Sequence, residues 1–114
     1  MSSARQKRIR RATEDIRRAI SGMDFVVSGT LLVRTRKCGN PNCRCARDAN
    51  AEHGPYYEWN RMIGGKLVHS WLNEEQAELI SEALANHQEI QRLLKVWEAR
   101  TEQEVLEFED DDFD

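Results

Sequence analysis

Apolar positions recur with a helical period near both ends of this chain and with a strand period between them. Near the start, Ile9, Ala12 or Thr13, Ile16 and Ile20 recur every three to four residues, which predicts a helix over 3–21. Ser2 or Ser3 can cap it and Gly22 can end it. Next, β-branched and aromatic residues dominate 25–36, a first strand in which Gly29 marks a bulge or the true start. A second strand spans Pro55 to Met62, with Tyr56 and Glu58 on one face and Tyr57 and Trp59 on the other. Ile63-Gly64-Gly65-Lys66 is a hairpin turn and Leu67 to Leu72 a third strand. Asn73 with Gln76 forms a capping-box-like start to a long helix. Its stripe runs Ala77, Ile80, Leu84, His87, Ile90 or Gln91, Leu94, Trp97 and Thr101, with Leu93 beside it. A sheet of three strands is too small to cover that stripe, so the remainder meets the N-terminal helix or a second copy of the chain. The fold class is α+β: a three-stranded antiparallel meander between a basic N-terminal helix and a long C-terminal helix.

Charge divides the chain. Residues 1–47 hold twelve Lys/Arg against three acids, and residues 48–114 hold five against seventeen. Such asymmetry points to nucleic-acid contact, or to two halves that neutralise each other within the fold or across a dimer. The segments expected are a basic helical arm (1–22), a meander with its long helix (23–101) and an acidic tail (102–114). The tail carries eight acids and reads as disordered. It is a solubilising segment, or a short anchor through Phe108 and Phe113, and it could compete with nucleic acid for the basic half. The basic helix either docks through its isoleucines on the acidic C-terminal helix or orders on a phosphate backbone. No apolar run is long enough to cross a membrane and the start is polar and basic, which leads us to expect a cytoplasmic protein without a membrane partner.

All three cysteines fall within eight positions of the loop between the first two strands, and His53 follows eight residues later: C-x4-C-x-C-x7-H. Cys38, Cys43, Cys45 and His53 supply the four thiolate and imidazole ligands of a structural zinc site. Gly39 and Pro41 favour the turn this requires, and the x-spaced Cys43 and Cys45 converge only if their segment is bent. An odd thiol count argues against a disulfide framework. His69 and His87 are alternative ligands, more simply read as surface or packing residues. A hydrolytic zinc would need an open position and a base, for which only Glu52 and Glu58 stand near in sequence, and the deaminase spacing is missing. The expectation is a non-enzyme with no small-molecule substrate.

Gly29-Thr30-Leu31-Leu32, Cys38-Gly39-Asn40-Pro41-Asn42-Cys43-Arg44-Cys45-Ala46, His53-Gly54-Pro55-Tyr56-Tyr57 and Gly65-Lys66, with the long helix, resemble a family of small bacterial proteins of the DUF6788 type. The resemblance covers roughly residues 29–97 and implies that Cys38, Cys43, Cys45 and His53 act as one constellation. It also implies a setting beside transposase genes. The family's Tyr- and Arg-rich helix segment is replaced here by Asn86-His87-Gln88-Glu89-Ile90-Gln91-Arg92, so this helix is not assigned a nucleic-acid surface.

The leading functional expectation is a zinc-stabilised nucleic-acid-binding module, an accessory to DNA mobilisation or regulation. Arg5, Lys7, Arg8, Arg10, Arg11, Arg17, Arg18, Arg34, Arg36, Lys37, Arg44 and Arg47 would contact phosphates. Tyr56, Tyr57, Trp59 and Trp71 offer rings for bases, or for packing within the sheet. The alternative is a protein-interaction adaptor that uses the long helix, as a homodimer or with another partner.

Overall fold

The structure, a computed structural model, describes residues 3–48 and 51–111, with side chains through residue 107. Its elements in order are α1 (Ala4–Ala12), α2 (Glu14–Ser21), β1 (Thr30–Arg36), β2 (His53–Ile63), β3 (Lys66–Leu72) and α3 (Glu74–Asp111), with a short 3-10 turn (Arg44–Ala46) between β1 and β2. The α+β class stands, with the strands in the antiparallel order β1-β2-β3. The chain forms two compact units: residues 1–26 with 86–114, and residues 27–85. This differs from the division read from sequence, because α3 gives its first turns to the strand unit and the rest to the helical unit.

In the helical unit, the single helix expected over 3–21 is two. Ser3 caps α1 in a full capping box with Gln6, and Ser2 lies outside the described residues. The break falls at Thr13, which leaves helical geometry at φ −117° and ψ 8°. Its hydroxyl donates to the Ile9 carbonyl at 3.0 Å and accepts from Arg17 at 2.8 Å. A hydroxyl that bonds back to the carbonyl four residues earlier bends a helix. The interruption is stabilised from α3: Arg100 donates to the Ala12 carbonyl at 3.0 Å and to Asp15 at 2.7 Å. That hydrogen bond holds the Asp15 carboxyl below its ordinary pKa. Ile16 and Leu93 are the buried apolar side chains here, and Asn86 donates to the Phe25 carbonyl. Arg8 reaches Glu104 at 2.9 Å and Glu107 at 3.1 Å. Ion pairs therefore join the basic helices to α3, Arg8 from α1 and Asp15 from α2, where the sequence predicts docking through the isoleucines.

Those pairs also bear on the expected tail. Helix α3 continues through Asp111, where the acid run from Glu102 reads as disordered. Glu104 and Glu107 share Arg8, a contact from the far end of the chain that offsets part of their charge within the helix. The side chain of Phe108, and Phe113 altogether, lie outside the described residues.

In the strand unit, β1 begins at Thr30, because residues 25–28 do not join the ladder. Gly29 is the bend just before the strand rather than a bulge within it: it sits at φ +117°, and an added Cβ would meet the Asn60 carbonyl oxygen at 2.3 Å. Trp59 braces the same corner, its indole N–H donating to the Ser28 carbonyl at 3.0 Å. Gly64 and Gly65, with φ of 56° and 80°, close the β2–β3 hairpin as a primed two-residue turn. Asn73 and Gln76 cap α3 reciprocally. Leu31, Val33 and Tyr57 line a groove with Ala77, Glu78 and Ser81 of α3, so one face of the sheet looks toward this helix. The buried apolar residues of this unit are Cys45, Ala77 and Ala83, all small.

Candidate metal centre

The register of β1 on β2 slips between Arg34 and Arg36, and Arg36 pairs with His53. This irregular end of the ladder places Cys38 just beyond β1 and His53 at the first position of β2. Between them the loop turns on Asn40: its side chain accepts from the Asn42 amide at 2.9 Å and its carbonyl from the Cys43 amide at 3.0 Å. Gly39, at φ +82°, opens that turn. The 3-10 turn from Arg44 to Ala46 then supplies the bend that a C-x-C pair requires, closed by the Ala46 amide on the Cys43 carbonyl at 3.0 Å.

The result is convergence. The ligand atoms of Cys38, Cys43, Cys45 and His53 all lie within 4.8 Å of one another. Cys38 Sγ is 3.5 Å from Cys45 Sγ, and Cys43 Sγ is 3.2 Å from His53 Nε2. The four residues can therefore hold a metal ion. His53 is the imidazole of the cluster, whereas His69 is engaged on the sheet with Glu58 at 2.9 Å. The Cys45 backbone N–H, then the His53 ring and the other two thiols, lower the Cys43 thiol to about 6, so a thiolate is available near neutral pH. At Cys45 the Cys38 backbone N–H, donating at 3.3 Å, acts to lower the pKa, but burial and the neighbouring thiols outweigh it and raise it. A metal ion would replace those protons. The acids considered as bases are occupied: Glu52 accepts from the Thr35 hydroxyl at 2.7 Å, and Glu58 is held by Arg34 and His69.

The twelve cations fall into both units. Arg5, Lys7, Arg8, Arg10 and Arg11 stand on α1, and Arg17 and Arg18 on α2. Lys7, Arg10, Arg11, Arg17 and Arg18 line one concave patch with Glu14 and Ser21. Arg8 instead joins α3. Within the patch, Arg18 pairs with Glu14 at 2.9 Å, and Arg17 donates to the Arg10 carbonyl at 2.8 Å. In the strand unit, Arg34 pairs with Glu58 at 3.2 Å and Arg44 with Asp48 at 3.5 Å. Arg36 lies 4.9 Å from the centre of the Tyr56 ring. Lys37 and Arg47 are exposed beside Cys38 and the 3-10 turn. Sequence reasoning placed Tyr56 and Glu58 on one face and offered Tyr56 and Trp71 as rings for bases, but did not join them with Asn60 and His69 into one group. Only the register of β2 on β3, Glu58 opposite Trp71 and Asn60 opposite His69, assembles it. Among the described residues, no helix is long and apolar enough to cross a membrane.

A small α+β protein with a Cys3His cluster between its first two strands is the class that fold and site define. The chain belongs to the family described as a domain of unknown function (DUF6788), whose model matches residues 5–82. The match takes in the Arg-rich helices that the resemblance over 29–97 leaves out, and it stops within the first turns of α3. No curated protein and no solved structure matches the chain.

Proposed function

We propose that the chain is a non-enzymatic nucleic-acid-binding module whose strand unit is stapled by zinc. Three thiolates and an imidazole are a donor set that zinc takes in closed tetrahedral sites. A tetrahedron with metal–sulfur bonds of about 2.3 Å has edges of roughly 3.8 Å. The Cys38–Cys45 and Cys43–His53 separations of 3.5 and 3.2 Å need only small side-chain movements to meet it. Four protein ligands complete that coordination, which favours a structural ion over a catalytic one. Small buried side chains in the strand unit add to the case, since a core of Cys45, Ala77 and Ala83 needs a staple.

The observation that carries nucleic-acid binding is the concave patch of α1 and α2, with five cations and a single carboxylate. Lys7, Arg10 and Arg11 are exposed and make no ion pair among the described residues. Cations on such a surface release the counterions condensed on a nucleic acid's phosphates, which makes binding steeply salt-dependent. An accessory role in DNA mobilisation or regulation is the setting this activity would suit. Fluorescence anisotropy of the zinc-loaded chain with labelled oligonucleotides tests the reading. Affinity is expected to fall at least tenfold between about 50 and 200 mM salt, and the triple variant K7A/R10A/R11A to weaken binding and flatten the slope. Affinity that barely changes with salt contradicts it.

A second reading, a protein-interaction adaptor, is favoured by one patch on α3, where exposed Leu94 and half-buried Trp97 lie with Thr101 between Glu98 and Glu102. Leu94, Val105 and Leu106 are all exposed apolar residues of this helix. Light scattering at rising concentration separates the readings: a dimer broken by L94E favours the adaptor, and a monomer throughout removes its dimeric form.

A further inference from the structure

The second face of the sheet, opposite the groove with α3, is built differently from its partner. Thr30, Leu32 and Arg34 of β1 lie across from Asn60, Glu58 and Tyr56 of β2, which in turn face His69 and Trp71 of β3. Polar and aromatic side chains thus make up the middle of this face. Trp71 is 60% exposed, an unusual position for the largest side chain, and Tyr56 meets it edge-on at 80° with ring centres 6.4 Å apart. Arg36 rests on the Tyr56 ring. The one acid, Glu58, is 8% exposed and bonded by Arg34 on one side and His69 on the other, so its charge is already matched. Arg36 and the adjacent, exposed Lys37 add positive charge at the edge of the face near the metal loop.

A flat indole held at right angles to a second ring, with cations along one edge, is the arrangement on which unpaired bases stack while their phosphates run past the cations. A duplex cannot use it, because its base faces are covered by neighbouring bases. We infer that this face, with Trp71 and Tyr56 as stacking surfaces and Arg36 and Lys37 at the phosphates, binds single-stranded nucleic acid. Asn60 and His69 lie side by side on the same face, His69 Nδ1 bonded to the Asn60 side-chain oxygen and to Glu58, so the Asn60 amide NH2 and His69 Nε2 are the groups offered to base edges. The inference rests on the nucleic-acid reading above and adds the strandedness of the target and a second contact surface to it.

The test is anisotropy of the zinc-loaded full chain with a labelled oligonucleotide as single-stranded DNA, as single-stranded RNA and as duplex, using wild type, W71A and K7A/R10A/R11A. Single strands are expected to bind more tightly than duplex, and W71A to lose about tenfold or more on single strands while duplex affinity is unchanged. The relative loss on DNA and RNA arms tells which sugar the face accepts. An independent readout is quenching of tryptophan emission by unlabelled single strand, expected in wild type and reduced in W71F, whose ring preserves the packing against Tyr56. Unchanged single-strand affinity in W71A, with binding lost in K7A/R10A/R11A, overturns the platform and leaves the module reading intact. Should W71A fail to hold zinc, quenching that is equal in W71F and wild type overturns it instead. Absence of binding to any of the three oligonucleotides overturns both.

Discussion

The two units of this chain are held together by different physics. The helical unit buries Ile16 and Leu93, and its helices are tied by many distributed bonds, Arg100 to Ala12 and Asp15, Arg8 to Glu104 and Glu107. The strand unit buries Cys45, Ala77 and Ala83, and directs four ligand atoms to one point. Distributed contacts fail gradually, each worth about 1 kcal/mol or less when exposed. A ligand cluster fails as a whole, because metal binding and local folding are one equilibrium. The contrast teaches that the same small chain should respond to salt in one unit and to chelators in the other.

The sharpest way to break this comparison is at Cys45, fully buried and the closest neighbour of Cys38. C45S is expected to cost several kcal/mol and to release the metal. In amide NMR spectra, signals from residues 30–72 should collapse while those from 4–21 and 86–107 remain dispersed. If both sets collapse together, the units are not independent in the way described.

G29A is next. It places a methyl group against the Asn60 carbonyl at a backbone angle that disfavours side chains, and should cost about 2–3 kcal/mol, read from urea unfolding of the zinc-loaded protein. Its effect should persist in excess zinc, since the clash lies at the β1–β2 corner rather than in the ligand loop.

R100A should destabilise the helical unit by about 1 kcal/mol, because the Ala12 carbonyl at the helix break loses a charged donor. Helical ellipticity against temperature is the measurement, and R100K, which cannot fork between Ala12 and Asp15, should recover only part of the loss.

R8A should cost about 0.5 kcal/mol at low salt and less in high salt, as for exposed ion pairs. Smallest of all is the acid response of Asp15. Its carboxyl pKa is lowered on folding, so its contribution is complete above the unfolded value and fades as pH falls through the folded one. The D15N variant should be slightly less stable than wild type at neutral pH and converge on it as pH falls through the lowered folded pKa of the carboxyl, by thermal unfolding across pH.

Much of this architecture was legible where a residue acts locally. Asn73 with Gln76, the Gly64-Gly65 turn and the alternation in β2 follow from neighbours a few positions away. The Cys/His set was equally legible, since its spacing carries the chemistry with it. What escaped depends on partners distant in sequence. Thr13 breaks the first helix where Arg100, 87 residues later, can serve the carbonyl before it. The acid run after Thr101 reads as a solvated tail until Arg8 is placed against it. Nor could composition separate cations already engaged, such as Arg8 and Arg34, from Lys7, Arg10 and Arg11 in the open patch.

Hydrogen exchange of the purified chain before and after a zinc chelator, with metal content measured on the same sample, tests the central claim most directly. The account requires about one zinc per chain, and protection in 30–36, 53–63 and 66–72 that vanishes on chelation while protection in 4–21 persists. A chain that holds no metal, or whose strands keep their protection after the metal is gone, would contradict it.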